Sequence, residues 1–364
     1  MLTQETKQNV IKYVKQYLAD YTHYKSTRVW CYEDGVILLG AYDLYLSTKD
    51  RYYLDFCLKF LNNCIDSEGN LTGFDKHSCS TDDLLAGEAL YLINASFPDK
   101  KYELALAKLR EQYDIHPRTS DGSFFHKNRY PNQVWLDGLY MAQPLYCLFG
   151  VSENSVEILN DSVHQFSNVE HNLFDESTGR YMHAYDESRT MPWANKDTGR
   201  SSHVWLRSVG WYAMASVDVW EILKNSNYSK LSEKLFAIPE KVISSLDGTQ
   251  DSITKMYKDL PFISNEDNYL ETSGSVMIAY ASMKGSRIGC LSKDYLQKGA
   301  EIFEGVVNNF LKDGQLKNIC SVSGLDDKGR DGTVRYYLSE KIVSNDAKGV
   351  GPFMMALSEY LKSL

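Results

Sequence analysis

Twelve stretches of this chain carry apolar residues at helical spacing, at residues 4–19, 34–47, 51–65, 82–96, 101–113, 133–149, 153–167, 205–224, 230–247, 271–284, 293–311 and 346–363, and convincing strands are few. Taken in pairs they form six helical hairpins. The even members are the more apolar, as helices buried on most sides must be, while odd members such as residues 101–113 keep a polar face. The even members also open alike: Glu33-Asp34-Gly35, Thr81-Asp82-Asp83, Trp135-Leu136-Asp137-Gly138, Trp205-Leu206-Arg207, Glu271-Thr272-Ser273-Gly274 and Asn345-Asp346-Ala347-Lys348-Gly349. These openings recur about every 50 to 75 residues, too irregularly for a solenoid but in keeping with a closed ring. The pattern predicts an all-α fold, an (α/α)6 barrel that absorbs residues 1–364 in one domain. The starts of its inner helices then converge on one end as a funnel. Two long connections, His171 to Arg200 and Lys312 to Lys341, read as small β-hairpins plus loops that wall the funnel, since loops of that length in a compact domain are usually functional.

Composition narrows the function. Over 364 residues the formal charge is −9, and basic residues are scattered rather than gathered on one face, which argues against nucleic acid. The opening Met1-Leu2-Thr3-Gln4-Glu5-Thr6-Lys7 lacks the apolar core of a signal peptide, and no apolar run would span a membrane. A cytoplasmic protein is expected, acting as a monomer or weak homodimer. Seven widely spaced cysteines without a Cys-x-x-Cys motif read as reduced core thiols, not as a disulfide or zinc frame. The 26 Tyr and 6 Trp suit either a large core or the faces of sugars.

Chemistry concentrates around Asn132-Gln133-Val134-Trp135-Leu136-Asp137-Gly138-Leu139-Tyr140-Met141. Asn132 is a reasonable N-cap, which places Asp137 in the first helical turn, and Pro144 should kink or disturb the helix. A carboxyl held against Trp, Leu and Met in a dry site is the combination that yields a proton donor at neutral pH. The plainer alternative is an Asp that complements the helix dipole or pairs with an arginine.

At these residues the chain resembles the unsaturated rhamnogalacturonyl hydrolases and their unsaturated uronyl hydrolase relatives, glycoside hydrolase family 105. The matching elements are Thr81-Asp82-Asp83 with Gly87, His126, Trp135 to Met141, Tyr181-Met182-His183, Pro192-Trp193-Ala194, Thr198-Gly199, and Ser202 to Tyr212. Their order and approximate spacing hold from about residue 30 to 220. The resemblance implies an (α/α)6 barrel without metal or cofactor, which removes a 4,5-unsaturated uronic acid from an oligosaccharide end. The chemistry implied is hydration of a vinyl ether: an acid protonates C4 and water adds at C5. Asp137 matches the acid/base position.

The same match makes Asp82 a second carboxylate of the pocket, with helix capping as its plain alternative and Asp83 as the other residue that might point inward. His126 and His183 would hydrogen-bond the uronate or the water. Arg207 is the expected anchor for the substrate carboxylate, because a guanidinium grips one with two parallel bonds; an ion pair with Asp82 or Asp137 is the structural alternative. Trp135, Trp205 and Trp211 could stack on the flat ring or simply fill the core, and Tyr32 and Met141 complete the candidate substrate-binding set. Competing readings are an unsaturated glucuronyl hydrolase acting on glycosaminoglycan or ulvan fragments, a sugar epimerase, and a non-catalytic carbohydrate-binding barrel. An inverting glycosidase would need a further base, with Glu271 or Asp34 as candidates.

Overall fold

A computed structural model describes residues 1–25 and 30–363. In chain order its helices are α1 (Gln4–Asp20), α2 (Tyr32–Thr48), α3 (Arg51–Cys64), α4 (Leu85–Ser96), α5 (Lys100–Ile115), α6 (Leu136–Ser152) and α7 (Val156–Asn172). There follow α8 (Leu206–Lys224), α9 (Ile238–Ser244), α10 (Thr272–Ile288), α11 (Asp294–Phe310), α12 (Val334–Ser339) and α13 (Ala347–Lys362). Helices α2, α4, α6, α8, α10 and α13 pack in a closed cycle, each against the next and α13 back against α2. Outside them, α3, α5, α7, α9 and α11 lean on the inner helix of their own hairpin or its neighbour. This is an (α/α)6 barrel.

The two shells differ as the sequence pattern requires. Every residue of α8 from Leu206 to Trp220 is buried, whereas α1 buries only Val10, Tyr13, Val14 and Leu18. Inner helices sit close enough to need small residues. A Cβ on Gly274 would lie 2.5 Å from the Leu206 side chain and 3.0 Å from the Arg207 backbone nitrogen, so α8 and α10 meet in register only with glycine there.

The strands are short antiparallel pairs: β1 (Gln133–Trp135) with β4 (Ala184–Asp186), β2 (Phe174–Asp175) with β3 (Arg180–Tyr181), β5 (Leu311–Lys312) with β6 (Gln315–Leu316), and β7 (Ile319–Cys320) with β8 (Ile342–Val343). Both long connections therefore hold small hairpins. Beneath them Trp135, Trp193, Trp205, Leu260, Cys320 and Tyr337 form a second apolar cluster, separate from the barrel core. No helix among the described residues is long and apolar enough to cross a membrane. All seven cysteines are buried and unpaired.

Three local expectations are corrected. Residues 133–135 are strand, not helix, because they pair with 184–186; Asn132 sits at φ 63° and α6 starts only at Leu136. α6 is continuous across Pro144. The segment expected at 230–247 divides into a 3-10 stretch (Ser229–Leu235) and α9, which begins beside Pro239, a residue suited to a first helical turn but not to an interior one.

Candidate active site

Outer helices α1, α3, α5 and α7 are capped by the side chains of Thr3, Asp50, Asp99 and Ser155, whereas α2, α4, α6 and α8 begin with no side-chain cap. The positive ends of four inner helices thus lie at the funnel without a capping side-chain oxygen, which favours an anionic ligand. Backbone oxygens take the first amides of two of them. Leu136 N donates to His183 O at 3.1 Å, and Leu206 N to Asp259 O at 2.9 Å. These two bonds fix the starts of α6 and α8, and so the positions of Asp137 and Arg207 one residue on.

Nine of the ten residues singled out from sequence line one pocket: Tyr32, Asp82, His126, Trp135, Asp137, Met141, Trp205, Arg207 and Trp211. The tenth, His183, is wholly buried directly behind Asp137. The pocket measures about 110 Å³, and a single water needs roughly 10–15 Å³ by this measure, so the space is of the order of one sugar ring. It adjoins a wider cleft of about 460 Å³ that shares Tyr32, Asp82, Lys127 and Arg129 and adds Lys25, Glu33 and Asn128. A still roomier groove of about 630 Å³ runs along α1 past Tyr13, Tyr17 and Tyr21, but holds none of the ten.

Asp82 faces the smaller pocket and Asp83 only the adjoining cleft; Asp83 is buried and accepts from Ser78 Oγ at 3.1 Å. Burial works to raise the Asp82 pKa, but the contacting Lys127 ammonium, with His126 and Lys25, outweighs it and holds the carboxyl below its usual range. His126 lies flat on the Trp135 indole, ring centroids 4.5 Å apart, with Nδ1 3.1 Å from Thr81 Oγ1. Burial, with Lys127 adding to it against the pull of Asp82, pushes its pKa down to about 3, so the ring is neutral at physiological pH. Gly138 permits this approach: a Cβ there would sit 3.3 Å from His126 Nδ1.

Asp137 is 14% exposed, and its Oδ2 lies 3.5 Å from His183 Nε2. Both atoms are buried and, among the described residues, without a hydrogen-bond partner. Arg207 is 1% exposed, and among the described residues no carboxylate pairs with it, so the alternative of an ion pair with Asp82 or Asp137 is not realised. Instead Nη1 donates to Cys320 O at 2.6 Å and to Ser273 Oγ at 3.2 Å, while the guanidinium lies over the Trp205 ring at 4.8 Å. Trp205 Nε1 donates to Asp259 Oδ1 at 3.0 Å, and Trp211 stacks on Tyr140 with centroids 5.2 Å apart. Tyr130 as well as His126 stacks on Trp135, so protein rings already occupy that indole's faces.

The further bases weighed for an inverting reaction are committed elsewhere. Glu271 caps α10, accepting from Ser273 N, Gly274 N, Ser273 Oγ and Cys320 N. Asp34 accepts from Tyr21 Oη, Tyr24 N and Cys31 Sγ. Neither lines the pocket. Sequence reading missed Lys127, Arg129, Tyr130, Val322, Ser323, Gly324 and Arg330 from the walls; only Lys127, adjacent to His126, carried a signal that could have found it.

An (α/α)6 barrel with a ring-sized, acid-bearing, indole-walled pocket at the starts of its inner helices has the form of a glycoside hydrolase. Residues 4–364 match the family model described as Glycosyl Hydrolase Family 88, and the chain belongs to that family. It is 25% identical over 301 residues to the unsaturated rhamnogalacturonyl hydrolase YesR of Bacillus subtilis, covering 80% of this chain and 79% of that one. A protein of Agrobacterium fabrum is 36% identical over 234 residues, 61% of this chain and 98% of its own length. Among solved structures, a C. acetobutylicum glycoside hydrolase from family 105 superposes with a TM-score of 0.89 at 39% identity, covering 99% of each chain. An unsaturated glucuronyl hydrolase specific for heparin shares the fold at TM-score 0.70 and 13% identity, covering 99% of this chain and 96% of that one.

Proposed function

We propose that this chain removes a 4,5-unsaturated galacturonic acid from the non-reducing end of rhamnogalacturonan fragments, a pectin component, by hydrating the C4=C5 double bond. The observation that carries the reading is Arg207: a buried guanidinium without a carboxylate partner, beside a ring-sized space that also holds two carboxyl groups. An unpaired buried charge is costly, and a uronate supplies the missing anion in the geometry a guanidinium favours. The uncapped starts of α2, α4, α6 and α8 favour the same charge.

In this reading Asp137 gives its proton to C4 and the ring develops positive character at C5. A water adds its oxygen to C5 and returns a proton to Asp137, so the acid is regenerated. The C5 hemiketal opens, and the hemiacetal left at C1 expels the neighbouring sugar. Asp82, held ionised by Lys127, accepts from substrate hydroxyls or aligns the water; neutral His126 offers a further polar contact. Trp205 and Trp211 bound the flat unsaturated ring, with Tyr32 and Met141 beside them. The leaving sugar occupies the cleft past Lys127 and Arg129. No step calls for a metal. A one-ring pocket suits the short fragments that a lyase leaves after cutting the polymer, and a cytoplasmic enzyme acting on imported fragments fits this reading.

The test is decay of the ultraviolet band of the conjugated uronate when protein is mixed with lyase-cut rhamnogalacturonan, glycosaminoglycan and ulvan fragments. Fastest decay with rhamnogalacturonan fragments is expected. Faster decay with glucuronyl fragments would reassign the substrate, and an unchanged band with all three would overturn the reading.

A further inference from the structure

Asp137 Oδ2 and His183 Nε2 lie 3.5 Å apart, not yet hydrogen-bonded, and among the described residues neither has another partner, so a small closure on substrate binding would let one proton serve both atoms. Which atom carries it depends on the far side of the imidazole. There, His183 Nδ1 lies 2.8 Å from the hydroxyl of Tyr337, which reaches in from α12 and is 1% exposed. Among the described residues the phenol has no other hydrogen-bond partner. If Nδ1 kept its hydrogen, the phenolic hydrogen would be buried with nowhere to go, the arrangement that folded proteins avoid most consistently. The phenol therefore donates to Nδ1, and neutral His183 must carry its hydrogen on Nε2, aimed at Asp137.

Resting on the reading of Asp137 as the acid, we propose that Tyr337 is a positioning residue that locks His183 in its Nε2–H form. His183 thereby holds Oδ2 of Asp137 and leaves Oδ1 as the oxygen that exchanges a proton with substrate. The backbone supports the same register, because His183 O accepts from Leu136 N, next to Asp137. Burial first, then Tyr336, Asp259, Asp137 and Cys320, keeps the phenol protonated and so always a donor. The charged and titratable groups around the pair are these four, with His203 against the Tyr337 ring and His126 across the pocket from Asp137. When Asp137 has given up its proton, the Nε2–H group can close on the carboxylate and stabilise it. The following step, proton return from water, then finds that carboxylate already oriented.

Nitrogen-15 NMR of histidine-labelled protein reads the tautomer without any substrate, with the His183 signal assigned from its loss in His183→Gln. The wild type should show the Nε2–H form, and Tyr337→Phe a mixture or the Nδ1–H form. In turnover, Tyr337→Phe should lower kcat, by about tenfold to a hundredfold if the loss matches that of orienting partners behind metal-bound imidazoles, with KM little changed. A wild-type Nδ1–H signal would overturn the proposal even if the variant failed to fold. So would a Tyr337→Phe enzyme with unaltered kcat and an unaltered His183 tautomer signal. A fully active Asp137→Asn enzyme would instead remove the functional reading, while the tautomer signal still reported on Tyr337 and His183.

Discussion

Two groups of carboxyl side chains, one at each end of the inner barrel, are built in opposite ways. In the later turns of α2, α8, α10 and α13, Asp43, Asp218, Glu221 and Glu359 surround Lys284 and Arg287, joined by Glu88 of α4. There the acids outnumber the cations but most are paired: Lys284 sits 2.9 Å from both Asp218 and Glu221, and Arg287 grips Glu359 with bonds of 2.6 and 2.9 Å. At the funnel end the pattern reverses. Among the described residues no carboxylate contacts Arg207, although Glu271 and Asp346 lie near enough to favour its charge, and Asp137 and His183 leave unsatisfied atoms beside open space. Burial of an acid is therefore not what marks the active site here. Unspent bonding capacity facing a cavity is what marks it.

Four substitutions break or sharpen this contrast, taken from the largest effect to the smallest. Asp137→Asn should lower kcat by roughly 10²–10⁴-fold, the share of a positioned acid, with no change in thermal midpoint. A loss of stability alongside the loss of rate would mean the funnel end is also structural. Lys284→Met should do the reverse. Stranding Asp218 and Glu221 without their cation should cost about 3–5 kcal/mol in denaturant unfolding, while the folded fraction keeps its kcat. Arg207→Lys should mainly raise KM, by about tenfold to a hundredfold, since charge-assisted bonds are worth about 1.5–3 kcal/mol and an ammonium cannot reproduce the fork. An unaltered KM would return Arg207 to the scaffold.

The smallest effect separates the two ends by pH. Burial, then Asp218, pushes the Glu88 carboxyl well above its usual range, and its Oε2 has no partner. A carboxyl whose pKa is raised by folding contributes stability that is complete below its unfolded value and lost as pH climbs through its folded one. The decline is up to about 1.4 kcal/mol per pH unit for one proton. Glu88→Gln should flatten that decline in unfolding experiments from acid to mildly alkaline pH; an unchanged slope would show that another group carries it.

The hairpin order was legible because inner and outer helices differ in how much surface they bury, and that difference is written into the apolar period. Asp137, Arg207 and the tryptophans were legible because they open inner helices, where position in the sequence translates directly into position at the funnel. What could not be read has physical causes. Residues 133–135 carry a helix-like apolar run but are claimed as strand by residues some fifty positions later, a pairing no local pattern reports. Arg330 and the residues from Val322 to Gly324 reach the pocket on loops without periodicity. Tyr337 and Asp259 act from behind His183 and Trp205, so nothing in their own neighbourhoods signals a role.

The central claim is that the proton goes to C4 and the nucleophile to C5, not to the anomeric carbon. It is tested most directly by turning over a lyase-cut rhamnogalacturonan disaccharide in deuterated water containing methanol and examining the products by NMR. A methoxyl group on C5 forms a ketal that cannot open, so a deuteron delivered to C4 is locked in place. The account predicts that product, with methoxyl at C5, deuterium at C4 and the glycosidic bond intact, and its absence with Asp137→Asn. A methyl glycoside at C1 with the double bond retained would contradict it.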